Sequence, residues 1–251
     1  MVTVITPTVR SEGLPLVAQS LRKQNYLEWE WLVVTDNFEK AKRASSEATV
    51  TVLQEPKKKL GDYYCLNKAW NFAYARARGD LIVNIVDWLW FPPDTLSRLW
   101  EHFVVNPKAL VTTVGHQYKE IIDGKPEGMV WQDPRARSDL GTFYEVAPSE
   151  MEMCIISIPK QAIIDCGGLD EVYDTCPAVG EKEMCWRMDK LGYKFYIDQS
   201  IEYRQKQHPR LRKDWDEMYK EKTTPLFTKH MAQITEGTRS LNVNSLEKYR
   251  V

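Results

Sequence analysis

Short apolar runs and amphipathic stretches alternate through the first 115 residues. VTVIT (2–6), WLVVTD (31–36) and LIVNIV (81–86) are β-rich runs of strand length, the last two continuously apolar, as expected where both faces of a sheet are covered. TVTVL (49–53) alternates and reads as a further strand, and ALVTTVG (109–115) closes the series. Helical stripes lie between them. In GLPLVAQSLRKQ (13–24) one face carries Leu14, Val17, Ala18 and Leu21. In DYYCLNKAWNFAYARARG (62–79) it carries Leu66, Ala69, Trp70, Ala73 and Ala77, with Asp62 predicted to cap the start and Gly79 to end it. PPDTLSRLWEHF (92–103) opens on proline and aligns Leu96, Leu99, Trp100 and Phe103. This pattern predicts an α/β fold with a doubly wound, mostly parallel sheet flanked by helices.

From 116 to 152 the pattern loosens, with turns predicted at Asp123-Gly124 and Pro126-Glu127-Gly128, as in a hairpin followed by a loop. MCIISI (153–158) returns to strand, PKQAIIDCGG (159–168) and GEKEMCWRMDKLG (180–192) to helix, and KFYID (194–198) to a last short strand. Beyond 208 the chain is charged and lacks core periodicity; residues 209–251 read as a helical or extended arm, a lid or an oligomer contact.

Composition narrows this picture. With 251 residues and 43% hydrophobic content the chain can bury a full core, and 34 basic against 35 acidic residues argue against a dedicated polyanion binder. No apolar stretch reaches the roughly 20 residues of a membrane span. The N-terminus lacks a basic n-region and reads as a strand. Five cysteines without a CxxC pair suggest neither a disulfide framework nor a zinc site, so a reducing cytoplasm is the expected location.

In an open α/β sheet, ligands bind beyond the carboxyl ends of the strands. Three strands here finish in polar residues: the first in Thr6-Pro7-Thr8 with Arg10 beyond, the second in Thr35-Asp36-Asn37, the third in Asp87. Turn-forming residues at strand ends are the plain alternative for each one alone. No GxGxxG or GxxxxGK[ST] is present. In GEKEMCWRMDKLG, Met184, Met188 and Leu191 define a buried stripe; Glu181 lies at its edge in the first turn, where the helix dipole favours a carboxylate suited to act as general base, and Glu183 is predicted to face solvent. YRQKQHPRLRK (203–213) gathers Arg204, Lys206, His208, Arg210, Arg212 and Lys213, either a solvated charge run or a flap that neutralises a diphosphate.

With these residues in place the chain resembles the GT-A-fold glycosyltransferases of the family-2 type, Rossmann-like enzymes that use nucleotide-diphosphate sugars. VITPTVRSEGLPLVAQSLRKQNYLEWEWLVVTDN, ARGDLIVNIVDWLWFPPDTLSRL, GGLDE and GEKEMCWRMDKLGYKFY carry the resemblance, in order, over residues 2–208. It implies a nucleotide-sugar-binding half (1–115) and an acceptor and catalytic half (116–208). By position, Thr6, Pro7 and Arg10 would cradle base and ribose, Asp36 would hydrogen-bond the base, usually uracil, and Asn67 and Lys68 would add nucleotide or phosphate contacts. Glu181 matches the carboxylate that deprotonates the acceptor hydroxyl in inverting members. His208 matches a histidine that meets metal or phosphates.

One motif departs. The family's Asp-x-Asp, whose last acid binds Mn²⁺ or Mg²⁺ through the diphosphate, is here VDWLW, with Asp87 alone. A divalent cation held by Asp87, with His208 as a second contact, is therefore a weakened expectation. The alternative reading is a sugar-nucleotide or glycan-binding module with an eroded metal motif. A nucleotidyltransferase ranks last, because TPTVRSEG holds a single glycine. The resemblance implies a UDP-sugar partner and leaves the acceptor open among glycans, proteins, lipids and modified nucleic acids.

Overall fold

The computed structural model describes residues 1–45, 50–209 and 212–249. Thr49 and Arg210 lie outside them. In chain order the elements are β1 (Val2–Pro7), α1 (Leu14–Arg22), β2 (Trp29–Thr35), α2 (Phe38–Ala44), β3 (Thr51–Gln54), α3 (Leu66–Tyr74), β4 (Leu81–Ile85), β5 (Leu89–Trp90) and α4 (Thr95–Val105). There follow β6 (Ala109–Ile122), β7 (Lys125–Gln132), β8 (Phe143–Glu145), β9 (Ile155–Pro159), α5 (Lys160–Cys166), α6 (Gly180–Lys190), β10 (Lys194–Lys206), α7 (Trp215–Met218) and α8 (Thr224–Thr235).

The strands form one mixed sheet in the order β3-β2-β1-β4-β9-β6-β10-β5, with β7 beside β6 and β8 beside β10. β1, β2, β3 and β4 are mutually parallel, and β6 is parallel to β10. β9 runs antiparallel to both β4 and β6, so those two point the same way. The mostly parallel sheet is thus as expected, with one reversed strand in its middle.

Continuous apolar strands bury both faces because side chains alternate across the sheet. Val2, Val4, Trp31, Val33, Leu81 and Val83 pack on one face with Leu14, Val17 and Leu21 of α1 and Leu96 and Leu99 of α4. Ile5, Leu32, Val34 and Ile82 pack on the other with Ala69 and Trp70 of α3, Ile163 of α5 and Met184 of α6.

Two local expectations are corrected. α3 is shorter than predicted. Asp62 does not cap it but accepts from the Lys59 backbone N–H at 2.6 Å and pairs with the Lys68 ammonium. The cap comes from far along the chain: Asp174 accepts from the N–H groups of Asn67 and Lys68 at 2.8 and 3.1 Å. Gly79 lies past the helix, where a Cβ would sit 2.6 Å from the Thr3 nitrogen. The predicted turn at Asp123-Gly124 joins β6 to β7, whereas Pro126–Gly128 lies inside β7.

The segment beyond 208 is helical but not detached. α7, a π turn at Tyr219–Thr223 and α8 follow without a break. Pro225 lacks an N–H and crowds the preceding turn, and the wider turn accommodates it. The tail then folds back: Val243 and Ser245 donate their N–H groups to Cys166 and Gly167 carbonyls, and Leu246 joins the core beside α3 and α5. No helix among the described residues is long and apolar enough to cross a membrane.

Candidate active site

Strand order reverses at β1: β2 and β3 lie to one side of it and β4 to the other. The loops after β1 and β4 therefore meet at the switch point, the usual ligand crevice of such sheets. Asp87 sits there, 3% exposed. The Thr8 hydroxyl donates to its Oδ2 at 2.6 Å, and Arg10 reaches both oxygens, Nε to Oδ2 at 3.3 Å and Nη2 to Oδ1 at 2.8 Å. Thr8 Oγ1 in turn accepts from the Arg10 N–H at 2.8 Å. On the far side of the guanidinium, Arg10 Nη1 donates to His208 Nδ1 at 2.5 Å. Burial, and then the charge of Arg10, hold His208 below its ordinary value, which suits a neutral acceptor.

Trp88 follows Asp87 with φ at 64°, a left-handed conformation costly for a bulky side chain. It presses on Gly13, where a Cβ would lie 2.6 Å from the Trp88 backbone nitrogen, and its carbonyl accepts from the Lys206 N–H at 2.9 Å. Its ring lies 6.1 Å from that of His208. The residue after Asp87 is thus an indole clamped in place, not a second carboxylate.

Thr6, expected at the ligand, is wholly buried, and its hydroxyl accepts from the Trp31 indole at 3.1 Å. Thr8, two residues on, is the threonine whose hydroxyl bonds Asp87 at the crevice. Pro7 ends β1, and Asp36 stands exposed past β2. Behind Asp36, burial pushes Glu55 up to about 7. Asn67 and Lys68 are buried and turned inward: Asn67 Nδ2 donates to Asp174 at 3.0 Å, and the Lys68 ammonium bonds Asp62 and lies 3.9 Å from Asp174. They build the wall of the site. Three cations of the basic run are likewise engaged: Arg204 lies over Trp90, Lys206 pairs with Glu120 and Arg212 with Asp214.

Glu181 is the second residue of α6, which follows Ala178 and Val179, both at φ 60°. Gly180, the first residue of the helix, touches Asn67, where a Cβ would meet Oδ1 at 2.5 Å. Three of the five non-glycine residues with positive φ among the described residues thus adjoin Asp87 or Glu181, as stored strain at a functional site would place them. Glu181 has no ion-pair partner among the described residues and lines a small pocket with Tyr64, Asn67, Tyr173 and Asp174. Burial, reinforced by the nearby Glu152 charge, pushes its carboxyl up to about 7. Lys182 pairs with Glu152 at 3.2 Å, just ahead of β9, and Ile155 of β9 registers with Ile85 at the end of β4. The start of α6 therefore overlies the same sheet edge as Asp87.

Glu183 corrects the solvent-facing expectation. It is fully buried, bonded by Arg187 at 2.9 and 3.0 Å and by Arg239 of the returning tail at 3.0 Å. With Asp170 and His230 it forms a group whose candidate ligand atoms lie within 4.8 Å of one another. Arg239 also pairs with Asp170, and His230 Nδ1 meets the Tyr173 hydroxyl at 2.9 Å. The acids are balanced by arginines, so the group is a joint between tail and domain. Asp87 and His208 do not fit a divalent cation as they stand either, because the Arg10 guanidinium fills the space between them.

Beside this edge opens a cleft of about 500 Å³, walled by Gln117, Trp131, Glu150, Lys182 and Tyr203 among others.

An open α/β sheet with a reversed central strand, an acid at the switch point and a helix-start carboxylate over the same edge defines a GT-A glycosyltransferase fold. The chain matches glycosyl transferase family 2 over residues 3–156, more than half its length, and belongs to that family. It superposes on S. aureus TarS 1–349, solved in complex with UDP, at TM-score 0.57 and 15% identity, covering 94% of this chain and 70% of that one. It superposes on GalNAc-T7, solved with UDP, GalNAc and Mn²⁺, at TM-score 0.64 and 12% identity, covering 100% of this chain and 53% of that one. No curated protein matches the sequence.

Proposed function

We propose that this chain is an inverting glycosyltransferase that moves a sugar from a nucleoside-diphosphate donor, with UDP favoured as the nucleotide, to an acceptor hydroxyl. Glu181 carries the reading: a carboxylate at a helix start with no ion-pair partner among the described residues, raised to about 7 and set over the ligand edge of the sheet. A general base near the working pH accepts a proton efficiently and keeps a useful ionised fraction. Glu181 removes the acceptor's hydroxyl proton, the oxygen bonds to the anomeric carbon from the face opposite the diphosphate, and the nucleoside diphosphate leaves. Asp36 accepts a hydrogen bond from the base in this reading, which its exposure just beyond β2 supports. The UDP held by the TarS and GalNAc-T7 structures supports the choice of nucleotide. The cleft suits a carbohydrate-bearing acceptor, with Trp131 as a stacking face and Gln117 and Gln205 as amide partners.

A second reading, a donor-binding module without transfer, draws on Asp87 being fully engaged by Arg10 and Thr8. Incubation with a panel of nucleotide sugars separates the two. Transfer or slow hydrolysis by the wild type, absent from Glu181→Gln while UDP binding persists, supports the enzyme. Binding of UDP without turnover of any donor supports the module.

A further inference from the structure

We infer that Arg10 is the built-in cation of the donor site, so that the diphosphate is bound without a divalent metal. This rests on the nucleotide-diphosphate reading above. Metal ions in such sites use one or two carboxylates together with substrate phosphate oxygens, and they need open carboxylate lone pairs. Asp87 has little to spare in this arrangement: Thr8 and two nitrogens of Arg10 take three of the roughly four acceptor sites on its oxygens, and it is buried among them. The next residue, Trp88, offers no carboxylate and is fixed against Gly13 and the Lys206 N–H. Bringing a metal in would require Arg10 to swing away from both Asp87 and His208.

The guanidinium is instead presented as a charge. Of its five N–H groups, two bond Asp87 and one bonds His208, so that one on Nη1 and one on Nη2 have no partner among the described residues. Its side chain is 23% exposed, so it reaches the crevice while held from behind. Two N–H groups on neighbouring nitrogens of a planar fork match two phosphate oxygens. Thr8 and His208 act as positioning residues that fix the fork. Among the other described cations of the 204–213 run, Arg204 lies over Trp90, Lys206 pairs with Glu120 and Arg212 pairs with Asp214.

Calorimetric titration of UDP into the full chain tests this in excess EDTA and again with Mn²⁺. The expected result is an affinity unchanged between the two conditions within about twofold. Arg10→Ala should weaken binding by about tenfold or more in EDTA, and Arg10→Lys, which keeps the charge but loses the fork, should fall between. Thermal unfolding of each variant checks that it is folded. UDP binding seen only with Mn²⁺ overturns the inference and leaves the glycosyltransferase reading standing. Wild-type affinity of a folded Arg10→Ala in EDTA also overturns it. No binding of UDP in either condition overturns the inference together with UDP as the donor nucleotide.

Discussion

Glu181 and Glu183 leave the first turn of α6 two residues apart and meet opposite surroundings. Glu181 has no ion-pair partner among the described residues and faces a pocket, whereas Glu183 is buried between Arg187 and Arg239. The two glutamates should therefore fail in different ways. Glu181→Gln should fold normally and lose transfer by about two to four orders of magnitude, the usual contribution of a positioned base. Glu183→Ala should strand a buried arginine and cost about 3–5 kcal/mol of stability. Chemical unfolding and initial rates on both variants check the contrast. Equal destabilisation by both would remove the functional distinction.

The raised carboxyl of Glu181 sets a pH profile. Activity should climb about tenfold per pH unit on the acid side and level off near pH 7, where the group ionises. Stability moves the other way. Between the ordinary glutamate value of 4.5 and about 7 the folded state holds a proton that the unfolded state releases, so this group's contribution is full below 4.5 and declines as pH rises toward 7. The decline is at most about 3 kcal/mol. Unfolding curves from pH 4 to 8, wild type against Glu181→Gln, should show the slope in the first and a flatter response in the second.

Thr6 and Thr8 offer a paired test of which hydroxyl serves the site. Thr6→Val leaves the Trp31 indole without an acceptor and should cost about 1–3 kcal/mol with UDP affinity unchanged. Thr8→Val removes one hydrogen bond from Asp87 and should weaken UDP binding, with a smaller effect on the midpoint of unfolding. Reversed outcomes would return Thr6 to the ligand.

Ala178 is exposed and left-handed, just ahead of Glu181. Glycine has no penalty at that φ, so Ala178→Gly should stabilise the chain by about 0.5–1 kcal/mol, the reverse of the usual sign for an alanine-to-glycine change. If strain there holds the helix start in place, the same variant should turn over more slowly. Thermal unfolding alongside initial rates reads both effects.

The alternating strands and helices were legible because each strand divides its apolar residues between two helix layers, as Val2 and Val4 against Ile5 show. The direction of β9 was not, because a fully buried strand has the same pattern whichever way it runs. Asp87, Arg10 and His208 were each visible as candidates, but their convergence on one guanidinium depends on a contact 198 residues apart in sequence. Glu183 was misplaced because helical periodicity describes one face only; its cover is Arg239, more than 50 residues on. Thr6 and Thr8 have the same parity along the strand, so alternation could not rank them without knowing where the sheet ends.

The reversed strand has a consequence for synthesis. β9 fills the sheet between β4 and β6, yet it follows both along the chain. A nascent chain that has emerged only as far as Ile122 holds β4 and β6 with no partner between them, and Leu81, Val83, Leu110 and Val111 of those strands are core residues. Unpaired apolar edges of this kind invite pairing with other chains. Closure must wait for residues 155–159, a long-range step of the type that slows folding. A fragment of residues 1–115 should accordingly aggregate when expressed alone, and the chain's most exposed moment lies midway through translation.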